Sequence, residues 1–174
     1  VATGYDSDPD GEVWLPSECD ARIRADWFWS TNNASTLKTV EQLMGMYYGS
    51  VGHGAVLLLN HTPDTTGRIP EADARRAAEF GAEIQRRFGK SLAEASGRGC
   101  VVEVELGKPT RLDHVITAEE IAEGERVREY VIEGQVNGEW RQLCEGTAIG
   151  HKKIDRFAPM EVTKIRLRIT RSAA

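Results

Sequence analysis

The sequence predicts a chain in two parts, an α/β part followed by an all-β part. In the first 90 residues, short apolar runs alternate with stretches that have the apolar spacing of a helix. From residue 100 onward, short segments rich in Val, Ile and Thr alternate polar and apolar residues, which is typical of antiparallel strands. Segment 91–99, rich in Gly, Ser and Ala, suits a linker. We therefore divide the chain into 1–90, 91–99 and 100–174.

The composition excludes several classes of protein. The 174 residues are enough for one ordinary domain or for two small ones. With 40% hydrophobic and 28% charged residues, the chain falls in the globular range. No run approaches the roughly 18 apolar residues of a membrane-spanning helix. A net charge of −5 provides no basic surface for a phosphate backbone. We therefore expect neither a membrane span nor a nucleic-acid partner.

In the first part, the predicted order is strand, helix, strand, helix. The brief apolar segment 13–18 is predicted as a strand, and the continuous apolar run 55–60 as a strand buried on both faces of a parallel sheet. The second helix is predicted over 71–88, with Pro70 at its start and Gly89 beyond its end. This order indicates an α/β protein, and two strands are only a fragment of such a sheet.

Apolar stripes define the inner faces expected for the two helices. The first helix has Leu37, Val40, Leu43, Met44, Tyr47, Tyr48 and Val51 on one face. The second has Ala74, Ala77, Ala78, Gly81, Ile84 and Phe88. The arginine pairs 75–76 and 86–87 are predicted to lie on its solvated outer face.

The second part is predicted to be an antiparallel β-sandwich or jelly roll of about six strands. The expected strands are 101–106, 111–120, 126–136, 139–146, 152–157 and 163–170. Asn137 and Gly138 form the residue pair preferred in a type I′ hairpin turn.

Neither a disulfide framework nor a metal site is predicted. Cys19, Cys100 and Cys144 are an odd number with wide spacing, so buried thiols are expected, although a single bridge is allowed. The acidic segment from Asp6 to Asp10 fits the first half of a calcium-binding EF-hand loop. The twelfth loop position is a serine instead of the required glutamate, so an acidic surface loop is favoured over calcium binding.

The segment 14–30, WLPSECDARIRADWFWS, is the candidate for a sugar site. Its tryptophans can stack on the apolar C–H face of a sugar, and its carboxylates and guanidinium groups can bind hydroxyls. The alternative is a pair of core tryptophans beside a surface ion pair. If 13–16 is a barrel strand, Glu18 to Asp20 lie at its C-terminal end, where barrel enzymes have their active sites. Asn60 and His61 lie at the equivalent end of the next strand.

The same segments resemble a known family in order along almost the whole chain. The matching motifs are Trp14-x-Pro16-x-Glu18-x-Asp20, Ile23-Arg24, Trp27-Phe28, Ser50-Val51-Gly52-His53 and Leu58-Leu59-Asn60. The first part resembles the last strand and helix units of the (β/α)8 catalytic barrel of α-L-fucosidases, glycoside hydrolase family 29. The second part is similar to the galactose-binding-like β-sandwich that follows in those enzymes. By this resemblance both parts are incomplete.

The resemblance implies a portion of a retaining exo-α-L-fucosidase that hydrolyses terminal α-L-fucose without a metal or organic cofactor. Its nucleophile and acid/base are expected on upstream residues absent from this chain, which alone is expected to be inactive. The implied supporting roles are walls against the sugar for Trp14 and Trp27, and hydroxyl ligands or orienting groups for Glu18, Asp20 and Arg24. Glu18 is the one substitute acid/base candidate in the chain.

The resemblance also sets expectations for partners and location. The partners are a fucosylated oligosaccharide or glycoconjugate and the remainder of the same enzyme, and the location is secreted or periplasmic. Two alternatives remain: an inactive enzyme-derived scaffold, or a non-catalytic carbohydrate-binding β-sandwich module. For such a module the candidate residues are Trp140, Arg141, His151 and Lys152.

Overall fold

A computed structural model describes residues 12–13, 15 and 17–173. The chain divides into two compact units. The first, here the α/β unit, holds residues 17–51 and 55–90, and the second, here the β unit, holds 12–13, 15, 52–54 and 91–173. Trp14 and the acidic segment of the calcium hypothesis lie outside the described residues.

The α/β unit has the predicted order of elements. Its strands and helices are β1 (Glu18–Arg22), α1 (Val40–Gly49), β2 (Val56–Asn60) and α2 (Glu71–Phe88). The strands pair in parallel, with Glu18 opposite Val56 and Arg22 opposite Asn60. No helix among the described residues is long and apolar enough to cross a membrane.

The first strand begins later than predicted. Val13 and Leu15 are exposed and lie in no strand, whereas β1 begins at Glu18. Glu18 and Asp20 therefore lie within the strand and not at its C-terminal end, which is Arg22. The prediction followed the apolar run, but this strand alternates exposed polar residues with more buried small ones.

The prediction that β2 is buried on both faces is wrong for the described residues. Leu57 and Leu59 are half-buried, while Val56 and Leu58 are about half exposed. Successive side chains of a strand point to opposite faces, so one face of this sheet is exposed and carries apolar residues.

A capping box begins α1, and aromatic and polar contacts further along it join the two helices. In the capping box, the Thr39 hydroxyl accepts a hydrogen bond from the Gln42 backbone N–H, and the Gln42 side chain accepts one from the Thr39 backbone N–H. Further along α1, the Tyr47 ring stacks on that of Phe88 at 5.7 Å between centroids. The Arg87 guanidinium donates to the Tyr48 hydroxyl at 2.9 Å.

The inner face of α2 differs from the predicted apolar stripe. Ala74, Ala78 and Gly81 are exposed, and the buried residues of the helix are Asp73 and Phe80. The prediction that both arginine pairs are solvated also fails for Arg76 and Arg87, which are partly buried. The Asp73 carboxylate can be buried because it is paired with Arg24, which lies in the loop after β1.

The β unit contains one four-stranded antiparallel sheet among the described residues. Its strands are β3 (Val101–Thr117), β4 (Val127–Val136), β5 (Glu139–Gly146) and β6 (Lys153–Ser172), in the order β3-β6-β4-β5. Six predicted segments become four strands because β3 and β6 each join two of them across irregularities in register. The hairpin prediction is confirmed, since Asn137 and Gly138 have φ values of 52° and 87°.

The longest strand folds back on itself. Tyr130 lies opposite Ile169 near one end of β6, yet its hydroxyl donates a 2.7 Å hydrogen bond to Asp155 near the other end. In a straight strand, positions 155 and 169 would be about 46 Å apart. Two hydrogen-bonded side chains cannot span that distance, so β6 bends and the sheet closes over the core. The buried core residues are Val127, Tyr130, Ile132, Ile149, Val162 and Ile165.

Burial has clear electrostatic consequences in this core. It raises the pKa of Asp155 and that of Tyr130 above their ordinary values. Burial also raises the pKa of Cys144 to about 12, which makes this thiol a poor nucleophile. Gly146 is required beside Tyr130, because a β-carbon there would collide with the phenol.

Candidate functional site

The carboxyl ends of β1 and β2 meet at a loop that carries the tryptophan-rich sequence. The backbone N–H of Ile23 donates to the carbonyl oxygen of Asn60 at 3.1 Å. The side-chain amide of Asn60 donates to the carbonyl oxygen of Trp27 at 3.0 Å. The end of β2 therefore holds the loop that leaves β1.

This loop presents two aromatic rings. Trp27 is 42% exposed and Phe28 is 84% exposed. The guanidinium carbon of Arg22 lies 5.2 Å from the centre of the Trp27 ring, a cation–π distance. An aromatic face beside a guanidinium group is suited to a sugar, which has an apolar C–H face and a rim of hydroxyls.

Two positive charges, those of Lys38 and Arg22, lie near this loop. The Lys38 ammonium donates to the carbonyl oxygen of Arg24 at 2.8 Å. Burial, together with the nearby Arg22, lowers the pKa of Lys38. This end of the sheet thus favours hydrogen-bond acceptors such as hydroxyl and carboxylate oxygens.

Arg24 faces away from solvent and is paired with a buried carboxylate. Its Nε donates to Asp73 Oδ2 at 2.9 Å, and its Nη2 donates to Asp73 Oδ1 at 2.8 Å. The side chains of Arg24 and Asp73 are 3% and 0% exposed. Of the two roles predicted for Arg24, this geometry favours orienting neighbouring groups over contact with a hydroxyl.

Asn33 connects Arg24 to the aromatic pair. Its Oδ1 accepts from Arg24 Nη1 at 2.7 Å, and its side-chain amide donates to the carbonyl oxygen of Phe28 at 2.9 Å. The side chain is buried. Asn33 and Asp73 were not predicted from the sequence, because a polar loop residue and an acid in a first helical turn are both ordinary at such positions.

The two predicted carboxylates lie away from the aromatic pair along the strand. Glu18 and Asp20 are exposed on the same face of the sheet as Val56 and Leu58. Four residues of strand separate Glu18 from Arg22, which is about 13 Å. The structure therefore does not bring Glu18 to the end of the sheet where Trp27 lies.

A small cavity of about 260 Å³ lies between β1, β2 and α1. Its wall is mainly apolar. The lining residues are Cys19, Asp20, Ala21, Gln42, Gly45, Met46, Gly49, Ser50 and Leu57. Among the described residues, no group of three or more His, Cys, Asp or Glu side chains is arranged to hold a metal ion.

Both units are similar to parts of known proteins. Residues 93–174 match the family of F5/8 type C domains. A Bacteroides thetaiotaomicron crystal structure, assigned as an α-L-fucosidase, is 40% identical with a TM-score of 0.92 over 96% of this chain. A Ruminococcus gnavus fucosidase of glycoside hydrolase family 29, crystallised with fucose, is 31% identical with a TM-score of 0.83 over 92% of it. The Arabidopsis thaliana protein Alpha-L-fucosidase 1 is 28% identical over 84% of it.

The predicted resemblance to α-L-fucosidases of glycoside hydrolase family 29 is confirmed. The chain spans 40%, 39% and 36% of these three relatives, respectively. The similarity to these fucosidases thus covers most of this chain and less than half of each of them.

The four candidate residues for a sugar-binding module lie in the β unit and differ in exposure. Trp140 is half-buried, and the guanidinium carbon of Arg166 lies 4.2 Å from its ring centre. Arg166 Nε also donates to Glu133 at 2.8 Å, which lowers the pKa of that carboxyl. One face of this tryptophan is therefore covered by the side chain of Arg166 from β6. Arg141 and His151 are exposed, and Lys152 is half-buried.

The three cysteines are free. Cys100 is exposed, which contradicts the prediction of buried thiols, and Cys19 and Cys144 are half-buried.

Proposed function

We propose that this chain is part of a retaining exo-α-L-fucosidase that removes terminal α-L-fucose from glycans. The observation that carries the proposal is the similarity to proteins named as fucosidases, which extends over both units at up to 40% identity. One of those relatives was crystallised with fucose. We further propose a secreted or periplasmic location, by the same resemblance.

In this proposal β1 and β2 are two strands of a (β/α)8 barrel. Their parallel pairing and the helix that follows each of them support this architecture. The exposed apolar side chains of Val56 and Leu58 also support it, because barrel interiors are filled by such residues. A closed barrel needs about 250 residues. The remaining strands are expected from the rest of a longer enzyme.

Retaining hydrolysis uses two carboxyl groups about 5 Å apart. One attacks C1 of the sugar and forms a covalent glycosyl-enzyme, while the other donates a proton to the leaving oxygen and then activates a water. We assign both groups to the remainder of the enzyme. Trp27, and by resemblance Trp14, form apolar walls for fucose. By the same resemblance Glu18 and Asp20 accept hydrogen bonds from hydroxyls on the side of the sugar away from Trp27, since they lie farther along β1.

A chimeric enzyme tests this function. Residues 12–173 would replace the matching segment of the Bacteroides thetaiotaomicron relative. Hydrolysis of nitrophenyl α-L-fucoside with retention of the anomeric configuration is expected, and a Trp27→Ala chimera should have a raised KM. A folded chimera that hydrolyses no fucoside, while the unmodified relative does, would contradict the proposal.

Glu18 needs a separate test, because it is also the candidate substitute for the acid/base. As a hydroxyl ligand, Glu18→Gln should slow the hydrolysis of all fucosides similarly. As the acid, it should slow substrates with a poor leaving group far more than an activated dinitrophenyl fucoside, which needs little protonation. Asp20→Asn is the matched comparison, because Asp20 is also exposed on β1 and is assigned only as a hydroxyl ligand. It should therefore slow the hydrolysis of all fucosides similarly.

A second candidate function is sugar binding by the β unit without catalysis. The match of residues 93–174 to F5/8 type C domains favours it. A screen of fucosylated and galactosylated glycans should then detect binding that Trp140→Ala weakens and Trp27→Ala does not. Binding lost only with Trp27→Ala would assign recognition to the α/β unit.

A further inference from the structure

A chain of hydrogen bonds through three buried side chains leads from helix α2 to the backbone of the aromatic pair. Asp73 on α2 binds Arg24, and Arg24 binds Asn33 at 2.7 Å. Asn33 then donates to the carbonyl oxygen of Phe28 at 2.9 Å. The side chains of Asp73, Arg24 and Asn33 are all buried.

A second contact holds the same segment from the other side. The side-chain amide of Asn60 donates to the carbonyl oxygen of Trp27 at 3.0 Å. Two consecutive carbonyl groups, those of Trp27 and Phe28, are therefore each fixed by an asparagine side chain. One of these asparagines lies in the loop itself and the other at the end of β2.

This arrangement restrains the backbone and leaves the rings accessible. A loop on a protein surface is ordinarily among its more mobile segments. Buried, charge-assisted hydrogen bonds are strong and directional, so they restrict the geometry of the groups that they join. A ring held in one orientation loses less entropy when a sugar stacks on it, which improves affinity.

We propose that Asn33, held by Arg24 and Asp73, is a positioning residue that orients Trp27 and Phe28 for contact with the sugar substrate. The proposal rests on the proposed function, in which Trp27 contacts fucose. Asn33 acts on substrate affinity through the Phe28 carbonyl and does not touch the sugar. Asn60 has the same effect through the Trp27 carbonyl.

The substitution Asn33→Asp separates the two contacts of this side chain. An aspartate still accepts a hydrogen bond from Arg24, but it cannot donate one to the Phe28 carbonyl oxygen. Asn32→Asp is the matched control. It makes the same change of charge one residue away, at an exposed side chain whose Oδ1 accepts from Thr31. Asn60→Asp is a second test variant, at a site separate from the buried network.

Two measurements are made on the fucosidase chimera. Hydrogen exchange of the segment 25–33 reports its mobility without any sugar. Kinetics with an aryl α-L-fucoside report KM and kcat. For Asn33→Asp and Asn60→Asp we expect faster exchange and a rise in KM of about tenfold, with kcat roughly unchanged, because uniform binding is lost. Asn32→Asp should behave as the unmodified chimera.

The outcomes distinguish this proposal from the function on which it rests. If the segment exchanges faster in Asn33→Asp but KM stays constant, or if exchange in Asn33→Asp does not change, the positioning role is wrong. A fall in kcat alone would also overturn it. If the unmodified chimera hydrolyses no fucoside, the proposed function fails, and the exchange measurement still decides whether Asn33 holds the aromatic pair.

Discussion

Removal of the Asp73 carboxylate should be one of the most destabilising single changes in the α/β unit. Arg24 donates to both carboxylate oxygens of Asp73, at 2.9 and 2.8 Å, and the two side chains are at most 3% exposed. In Asp73→Ala the guanidinium keeps its buried position but loses its counter-ion. Breaking a buried pair in this way costs about 3–5 kcal/mol, most of it the penalty of the unpaired charge.

An exposed ion pair in the same helix provides the control. Glu71 accepts from Arg75 at 2.7 Å, but the two side chains are 87% and 67% exposed. Solvent screening makes such a pair worth at most about 1 kcal/mol. Glu71 and Asp73 both lie in the first turn of α2, so each substitution also removes a similar favourable interaction with the helix dipole. The difference between Asp73→Ala and Glu71→Ala therefore measures the effect of burial.

Urea unfolding followed by far-UV circular dichroism is the assay. We expect the free energy of unfolding to fall by at least 2 kcal/mol more for Asp73→Ala than for Glu71→Ala, as estimated from the two ranges above. Equal losses in the two variants would refute the argument that burial makes the Arg24 pair decisive. The double variant Arg24→Met with Asp73→Leu should recover stability, because no unpaired charge remains.

Four further predictions concern other parts of the chain. Gly134→Ala should destabilise the β unit by about 1–3 kcal/mol, because its β-carbon would lie 2.5 Å from Val162. Gly45→Ala, in a helix with open space around the site, should stabilise by about 0.5–1 kcal/mol. In urea unfolding, a stabilised Gly134→Ala variant would contradict the first statement and a destabilised Gly45→Ala variant the second. Tyr130→Phe should cost about 1–3 kcal/mol in the same assay, since it leaves a buried carboxyl group without its donor; an unchanged midpoint would contradict this. Two arginines lower the pKa of Glu83 from 4.5 to about 2, so its stabilising effect should be present above pH 4.5 and lost as the pH falls toward 2. The stability difference from Glu83→Gln should shrink over that interval, and a constant difference would rule out this linkage.

The α/β unit shows which elements hydropathy can predict. Helix α2 has its predicted bounds because Pro70 and Gly89 mark its ends. Strand β1 was misplaced because the apolar run 13–16 lies before it and the strand itself, ECDAR, has exposed polar residues at alternate positions. A two-residue period with small or charged side chains carries little hydropathy signal.

The β unit shows a different limit. The strand segments and the hairpin at Asn137 were recognisable from alternation and from turn residues. The joining of two segments into β6 was not, because it depends on which strands pair with it along its length. The fold-back that brings Asp155 to Tyr130 is a tertiary contact with no signal in the local sequence.

The role of Arg24 could not be predicted from the sequence. A guanidinium group binds a sugar hydroxyl and a carboxylate by the same donors, so residue type alone does not distinguish a ligand from an orienting group. The buried pairing with Asp73 favours the orienting role for Arg24. Asp73 lies 49 residues away, on a helix whose apolar stripe predicts no buried acid. Asn60 binds the backbone carbonyl of Trp27, and the ring beside Arg22 stays 42% exposed. The residues proposed to meet the sugar, and Arg24 and Asn33 behind them, therefore come from one short segment, and the long-range contacts with Asp73 and Asn60 separate the two roles.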